Sequence, residues 1–210
     1  MNFIEALVIP TYIAGIMGVL FYNKISKKEH PFVWYIFLAT TAELTYTLFH
    51  TKENNHIFHI TGNLYYLIET LLYLTFFYAQ DVVKSLKQYL ILVFFSVIVF
   101  VVFWIYSQPQ KVYVMFPYQI VSVMIIVLAV NLITKQIWET KTPLLKSGVF
   151  LIGAGLLLVT TNSFFMETIF LLKIGTKNFK NNIFYIYRII NAVVFLIDIV
   201  AIICLTKQKT

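Results

Sequence analysis

The stretch Tyr89–Tyr106, YLILVFFSVIVFVVFWIY, runs eighteen residues without a charge and is interrupted only by Ser96. A run of about 18 or more apolar residues is long enough to cross the hydrocarbon core of a bilayer as a helix. Within the candidate span at roughly 87–106, this run decides the fold class, because six comparable segments surround it. They lie at roughly 3–22, 32–50, 57–79, 112–134, 147–172 and 183–205. The chain therefore reads as an all-α integral membrane protein of seven transmembrane helices, with little left over for a soluble domain.

Composition agrees. Hydrophobic residues make up 60% of the 210 and charged residues 12%, and the mean hydropathy is +0.82. Soluble chains run at about 45–50% apolar and about 25% charged. The formal charge of +7 is spread over short loops and gives no nucleic-acid footprint. The first span has no basic leader and carries Glu5, so it is expected to be retained. The one cysteine, Cys204, lies in the last span and allows no intrachain disulfide. Fifteen lysines against one arginine, with many Phe, Ile and Asn, fit an AT-rich bacterial genome and an inner-membrane location.

Lysine placement predicts the orientation, because basic residues collect in cytoplasmic loops. With the N-terminus outside, the inner segments hold ten lysines (24, 27, 28, 84, 87, 135, 141, 146, 207 and 209) and the outer segments five (52, 111, 173, 177 and 180). That bias predicts N-out and C-in.

Three pairs of spans match in order, which predicts an internal repeat. IPTYIAGIMGVL from Ile9 aligns with FPYQIVSVMIIV from Phe116. Thr40-Thr41 answers Thr160-Thr161, and NLYYLIETLLYLTFF from Asn63 answers NIFYIYRIINAVVF from Asn182. The single domain, 1–210, then divides into a three-helix repeat over 1–81, a linker helix and loop over 82–111, and a second three-helix repeat over 112–210. An odd linker span keeps the two repeats parallel. This 3+1+3 layout resembles the SWEET and PQ-loop transporters and the nicotinamide-riboside transporter family. The resemblance implies a transporter plan of parallel repeats, with Pro10 and Pro117 at the positions of the hinge prolines of SWEET-type proteins. It is one of layout: the second and sixth spans lack mid-helix prolines, and the Pro109-Gln110 pair falls in an outer loop. No substrate residue carries over. Microbial rhodopsins share the seven-span count, but no lysine lies mid-way along the last span to hold retinal.

Ionisable groups inside a bilayer are costly and usually mark function. Five fall within the spans: Glu43, Glu69, Glu167, Arg188 and Asp198. Helical spacing puts Asn63, Tyr66, Glu69 and Tyr73 on one face. Arg188, Asn191, Phe195 and Asp198 share another, and so do Thr160, Ser163 and Glu167, with Asn162 beside them. Arg188 replaces Glu69 at the equivalent place of the repeat, and its expected partner is Glu69, Glu43 or Glu167.

Glu43, Asn63, Tyr66, Glu69, Asn162, Glu167, Arg188 and Asn191 are thus the candidate ligand-binding residues of an outward-facing polar pocket. The plain alternative is that Glu69 and Arg188 only fix helix register. Tyr65, Tyr66, Tyr185 and Tyr187 are candidates for the lining, whereas most tyrosines are expected in the interfacial belts. His56 and His59, near His50 and Glu53, are read as interfacial surface, and no metal, cofactor or catalytic residue is expected. Gly148, Gly153 and Gly155 mark close helix approach. The function expected is binding and translocation of a small polar solute, with Glu69 or Asp198 as possible proton carriers. The alternative is a membrane sensor that signals to a cytoplasmic protein through the loop from Lys135 to Lys146.

Overall fold

A computed structural model of the chain describes residues 6–49, 55–107, 115–140 and 143–208. Among them the structure is all-helical, with seven α-helices: α1 (Ile9–Phe21), α2 (His30–Phe49), α3 (Asn55–Ala79), α4 (Leu86–Ser107), α5 (Met115–Glu139), α6 (Gly148–Leu171) and α7 (Lys177–Gln208). Four of these, α4 to α7, are long and apolar enough to cross a membrane. The described part of α1 is short, and α2 and α3 dilute their apolar surface with threonines, tyrosines and the carboxyls of Glu43 and Glu69.

The helix ends follow local chemistry. Ser147 caps α6, its hydroxyl accepting from the Phe150 N–H at 3.3 Å and donating to Gln136 of α5 at 3.1 Å. This satisfies one of the free N–H groups of the first turn. α3 and α6 both end in a left-handed residue, Asp81 (φ 57°) and Lys173 (φ 54°). At these ends Val82 N–H reaches back to Phe77 C=O and Ile174 N–H to Ile169 C=O, each at 3.0 Å, a Schellman closure of the last turn. Pro10 and Pro117 lie in the first turns of α1 and α5. A proline there forfeits no helical hydrogen bond, so neither kinks its helix from the middle.

The helices pack in chain order into a ring. α1 lies between α2 and α7, α6 between α5 and α7, and α3 meets α5 directly. α4 packs on the outside against α3 and α5. Only 11% of its apolar span is buried, against 44% for α6, so the segment most uniformly apolar in sequence is the one most free to face lipid. Core side chains come from all seven helices, with Ile36, Leu74, Phe77, Leu132, Ile152 and Ile202 almost fully enclosed and α4 adding Phe100.

Glycines set the closest approaches. A Cβ on Gly148 would lie 2.6 Å from Leu205 Cγ and 2.9 Å from the backbone oxygen of Ala201 on α7. Gly155, seven residues on and on the same face, lies against the Asp198 carboxyl. Gly153 turns instead to Leu132 and Ile133 of α5. α6 is thereby clasped between two helices, as small residues permit.

Candidate functional site

α1, α2, α3, α5, α6 and α7 enclose a cavity of about 500 Å³; α4 contributes nothing to it. Its wall includes Leu7 and Val8 before α1, Thr45 and Tyr46 late in α2, Thr61 and Gly62 in the first half of α3, and Phe184 early in α7. These positions share one end of the bundle, and the cavity runs inward from there to Glu69 and Ser163.

Three ionisable residues other than tyrosines line it among the described residues: Glu43, Glu69 and Arg188. Of the three acids expected to partner Arg188, the guanidinium takes Glu43: Nη1 donates to Oε1 at 2.8 Å, with the two side chains 19% and 23% exposed. The guanidinium also lies 5.4 Å from the Phe184 ring, one turn earlier on α7. The pair joins α2 to α7, the two helices that flank α1, across 145 residues of sequence. Its Nε has no hydrogen-bond partner.

Glu69 has a different environment. Its Oε1 accepts from Tyr73 at 2.8 Å and from Tyr65 at 3.2 Å, one turn after and one turn before it on α3. Its Oε2, also buried, has no partner. Tyr73 stacks obliquely on Tyr35 of α2 with ring centres 4.8 Å apart, and Tyr66 on Tyr118 of α5 at 4.4 Å. The Tyr187 hydroxyl lies near Asn191 and near Ser163 of α6. The result is a polar floor held by tyrosines from four helices.

The candidate residues separate accordingly. Glu43, Tyr66, Glu69, Arg188 and Asn191 line the cavity together. Asn63 and Glu167 are buried outside its lining, and Asn162 is partly buried outside it. Glu167 Oε2 and Asn162 Nδ2 have no hydrogen-bond partner. Tyr65 and Tyr187 line the cavity, but Tyr185 is exposed. Tyr35 and Tyr118, not among the tyrosines named for the lining, are buried cavity walls. Glu167 is near enough to Tyr118 to interact electrostatically. Asp198 lies deeper, 2% exposed, and its Oδ2 has no hydrogen-bond partner. The histidine cluster with Glu53 falls outside the described residues and side chains.

A second polar cluster, unforeseen in the sequence, closes the opposite end. The buried Glu29, in the 3-10 turn just before α2, accepts from Gln80 Nε2 at 3.0 Å, and Lys135 of α5 donates to the Gln80 backbone oxygen at 2.8 Å. Beside it the exposed Lys28 pairs with Asp81 at 3.1 Å. The signal available in sequence was Glu29 standing among lysines in an otherwise basic loop.

The Lys28–Asp81 pair makes a pH prediction. Its hydrogen bond and charge hold the Asp81 carboxyl below the usual aspartate range. A lowered folded value means that the pair's contribution is in place above the unfolded value of about 3.9 and is lost as pH falls through the lowered one. Both groups are well exposed, so the contribution is small and screened by salt. Thermal melts of wild type and Asp81→Asn are expected to differ slightly at neutral pH and low salt, and to converge in strong acid or in 0.5 M salt, where the Debye length is about 4 Å. A difference that grows on acidification would contradict the assignment.

No known family model matches the chain, and no curated protein or solved structure does either.

Proposed function

We propose that the chain is a seven-span membrane protein, N-out and C-in, that binds a small polar solute in its cavity and carries it across the bilayer. The observation that carries the reading is the cavity of about 500 Å³, within the range of about 300–1,000 Å³ usual for ligand sites, with Glu43, Glu69 and Arg188 in its wall. Ionisable groups are held at such depth in membrane proteins chiefly where a solute or proton must pass.

Several features support the orientation and the repeat. Lys28 and Lys135 meet the α3 end at Asp81 and Gln80, so the lysine-rich loops share one end of the bundle. The cavity opens at the other. The positive-inside rule then turns its mouth outward. In each proposed triplet the middle helix packs on the outer two, α2 on α1 and α3, and α6 on α5 and α7. The bilayer-facing surface of α4 fits a linker.

The sensor reading rests on the inner end. Trp138, near the end of α5, is 84% exposed and borders an open groove with Asp81, Lys84, Lys135 and Glu139, a surface suited to a cytoplasmic protein partner.

One experiment separates these readings. A cysteine is placed at Ser163, on the cavity wall, in a Cys204→Ala background, and treated with a membrane-impermeant thiol reagent. A carrier should be labelled from outside in intact cells and from the inner face in inverted vesicles, because its cavity alternates. Labelling from outside alone favours the sensor. No labelling from either face removes the solute pocket.

A further inference from the structure

We propose that the cavity selects a small organic cation, an amine or quaternary ammonium, whose charged head sits at Glu69 between tyrosine rings. The inference rests on the pocket reading above and names the chemical class of its ligand.

The charges decide the sign. Arg188 is the one cation in the described lining, and Glu43 neutralises it at 2.8 Å. Glu69 is then left as an acid without a counter-charge: its hydrogen-bond donors, Tyr65 and Tyr73, are neutral, and both serve Oε1. Its Oε2 is buried without a partner in a side chain that is itself 6% exposed. A buried carboxyl lacking a counter-ion is costly, and a ligand cation would supply one. An anion would meet Glu69 first and would have to displace Glu43 from the guanidinium.

The walls decide the kind of cation. Tyr35, Tyr65, Tyr66, Tyr118 and Tyr187 surround Glu69 in the lining. Three of them form a continuous series, Tyr65 edge-on to Tyr66 at 5.6 Å and Tyr66 tilted against Tyr118 at 4.4 Å between ring centres. Ring faces attract cations, and quaternary ammonium recognition by aromatic cages is the established use of that attraction. A metal ion would need several hard oxygen ligands close together, whereas Glu69 is surrounded mainly by rings. The cavity's size suits an organic cation with a non-polar body.

Three probes of one shape and different charge test this: choline, its neutral carbon isostere 3,3-dimethylbutan-1-ol, and the anion 3,3-dimethylbutanoate. Each is titrated calorimetrically into the full-length protein in nanodiscs at neutral pH. Choline is expected to bind at least about tenfold more tightly than the alcohol, and the anion more weakly than either. Glu69→Gln should bring choline and the alcohol to similar affinity. Tyr66→Leu should weaken choline severalfold while leaving the fold intact, so that the outcome does not hang on one variant. Equal binding of choline and alcohol, or preference for the anion, overturns the proposal. Binding by none of the three, with the cavity cysteine still labelled, overturns the cationic class alone; loss of labelling would instead remove the pocket on which it stands.

Discussion

Replacing Arg188 by glutamine, or Glu43 by glutamine, is expected to destabilise the protein by about 2–3 kcal/mol, and the double replacement to recover most of the loss. Removing one member of a desolvated ion pair typically costs about 3–5 kcal/mol, because the other charge is left without compensation. The lower figure follows from the residual exposure of about a fifth on each side chain. The pair also spans α2 and α7 where neither has more than slight backbone contact with the other, so its loss frees the mouth of the cavity. A double-mutant cycle on reversible unfolding in mixed micelles measures the coupling directly. Strong coupling is expected between Glu43 and Arg188 and coupling below about 0.5 kcal/mol between Glu69 and Arg188. Strong coupling to Glu69 would mean that the guanidinium has a different partner in the membrane.

Gly148→Val is expected to cost about 2 kcal/mol, within the range for overpacking a filled interface. Even the first added carbon would press on Leu205 and on the Ala201 backbone oxygen. Leu205 can change rotamer, but the carbonyl moves only if α7 shifts as a whole. Gly18→Ala supplies the contrast. Its added carbon meets a Val33 methyl at 3.2 Å, a flexible side-chain contact, and thermal melts should show a much smaller loss. Equal losses at the two positions would mean that the α6–α7 approach is looser than described.

The helices were legible because their signal is local. The expected span at 147–172 is α6, Gly148–Leu171, almost to the residue, and 57–79 is α3, Asn55–Ala79. Misses at the ends have a common cause. α7 begins at Lys177 rather than near 183, and α5 runs on to Glu139 rather than 134. Lysine and asparagine close a hydropathy window, but their propensity cost inside a helix, below about 0.7 kcal/mol per residue, is too small to end one by itself. α7, at about 1.5 Å per residue, is accordingly longer than a bilayer core requires.

The site was legible only as faces. Spacing of three and four residues put Glu69 with Tyr66, and Arg188 with Asn191, on single stripes, and these four do line one cavity. Tyr35 and Tyr118 were missed because an amphipathic ring reads alike at a membrane interface and in a polar cavity; only burial separates the two. Asn63, Asn162 and Glu167 share the right faces, yet a stripe is wider than a cavity wall, and packing against neighbouring helices takes up the remainder.

By itself, then, the sequence determined that this is a helical membrane protein, where its helices run, and which residues make each helix's polar stripe. Hydrophobicity and helical period are properties of a segment and need no partner. The tertiary structure decided that α4 stands outside the ring, that Arg188 answers Glu43, and that Glu69 is left to tyrosines. Those outcomes depend on how each helix is rotated and which helix it meets. That is settled by glycine-permitted approaches such as Gly148 to α7 and by core packing between residues far apart in the chain, for which a single helix's periodicity holds no record.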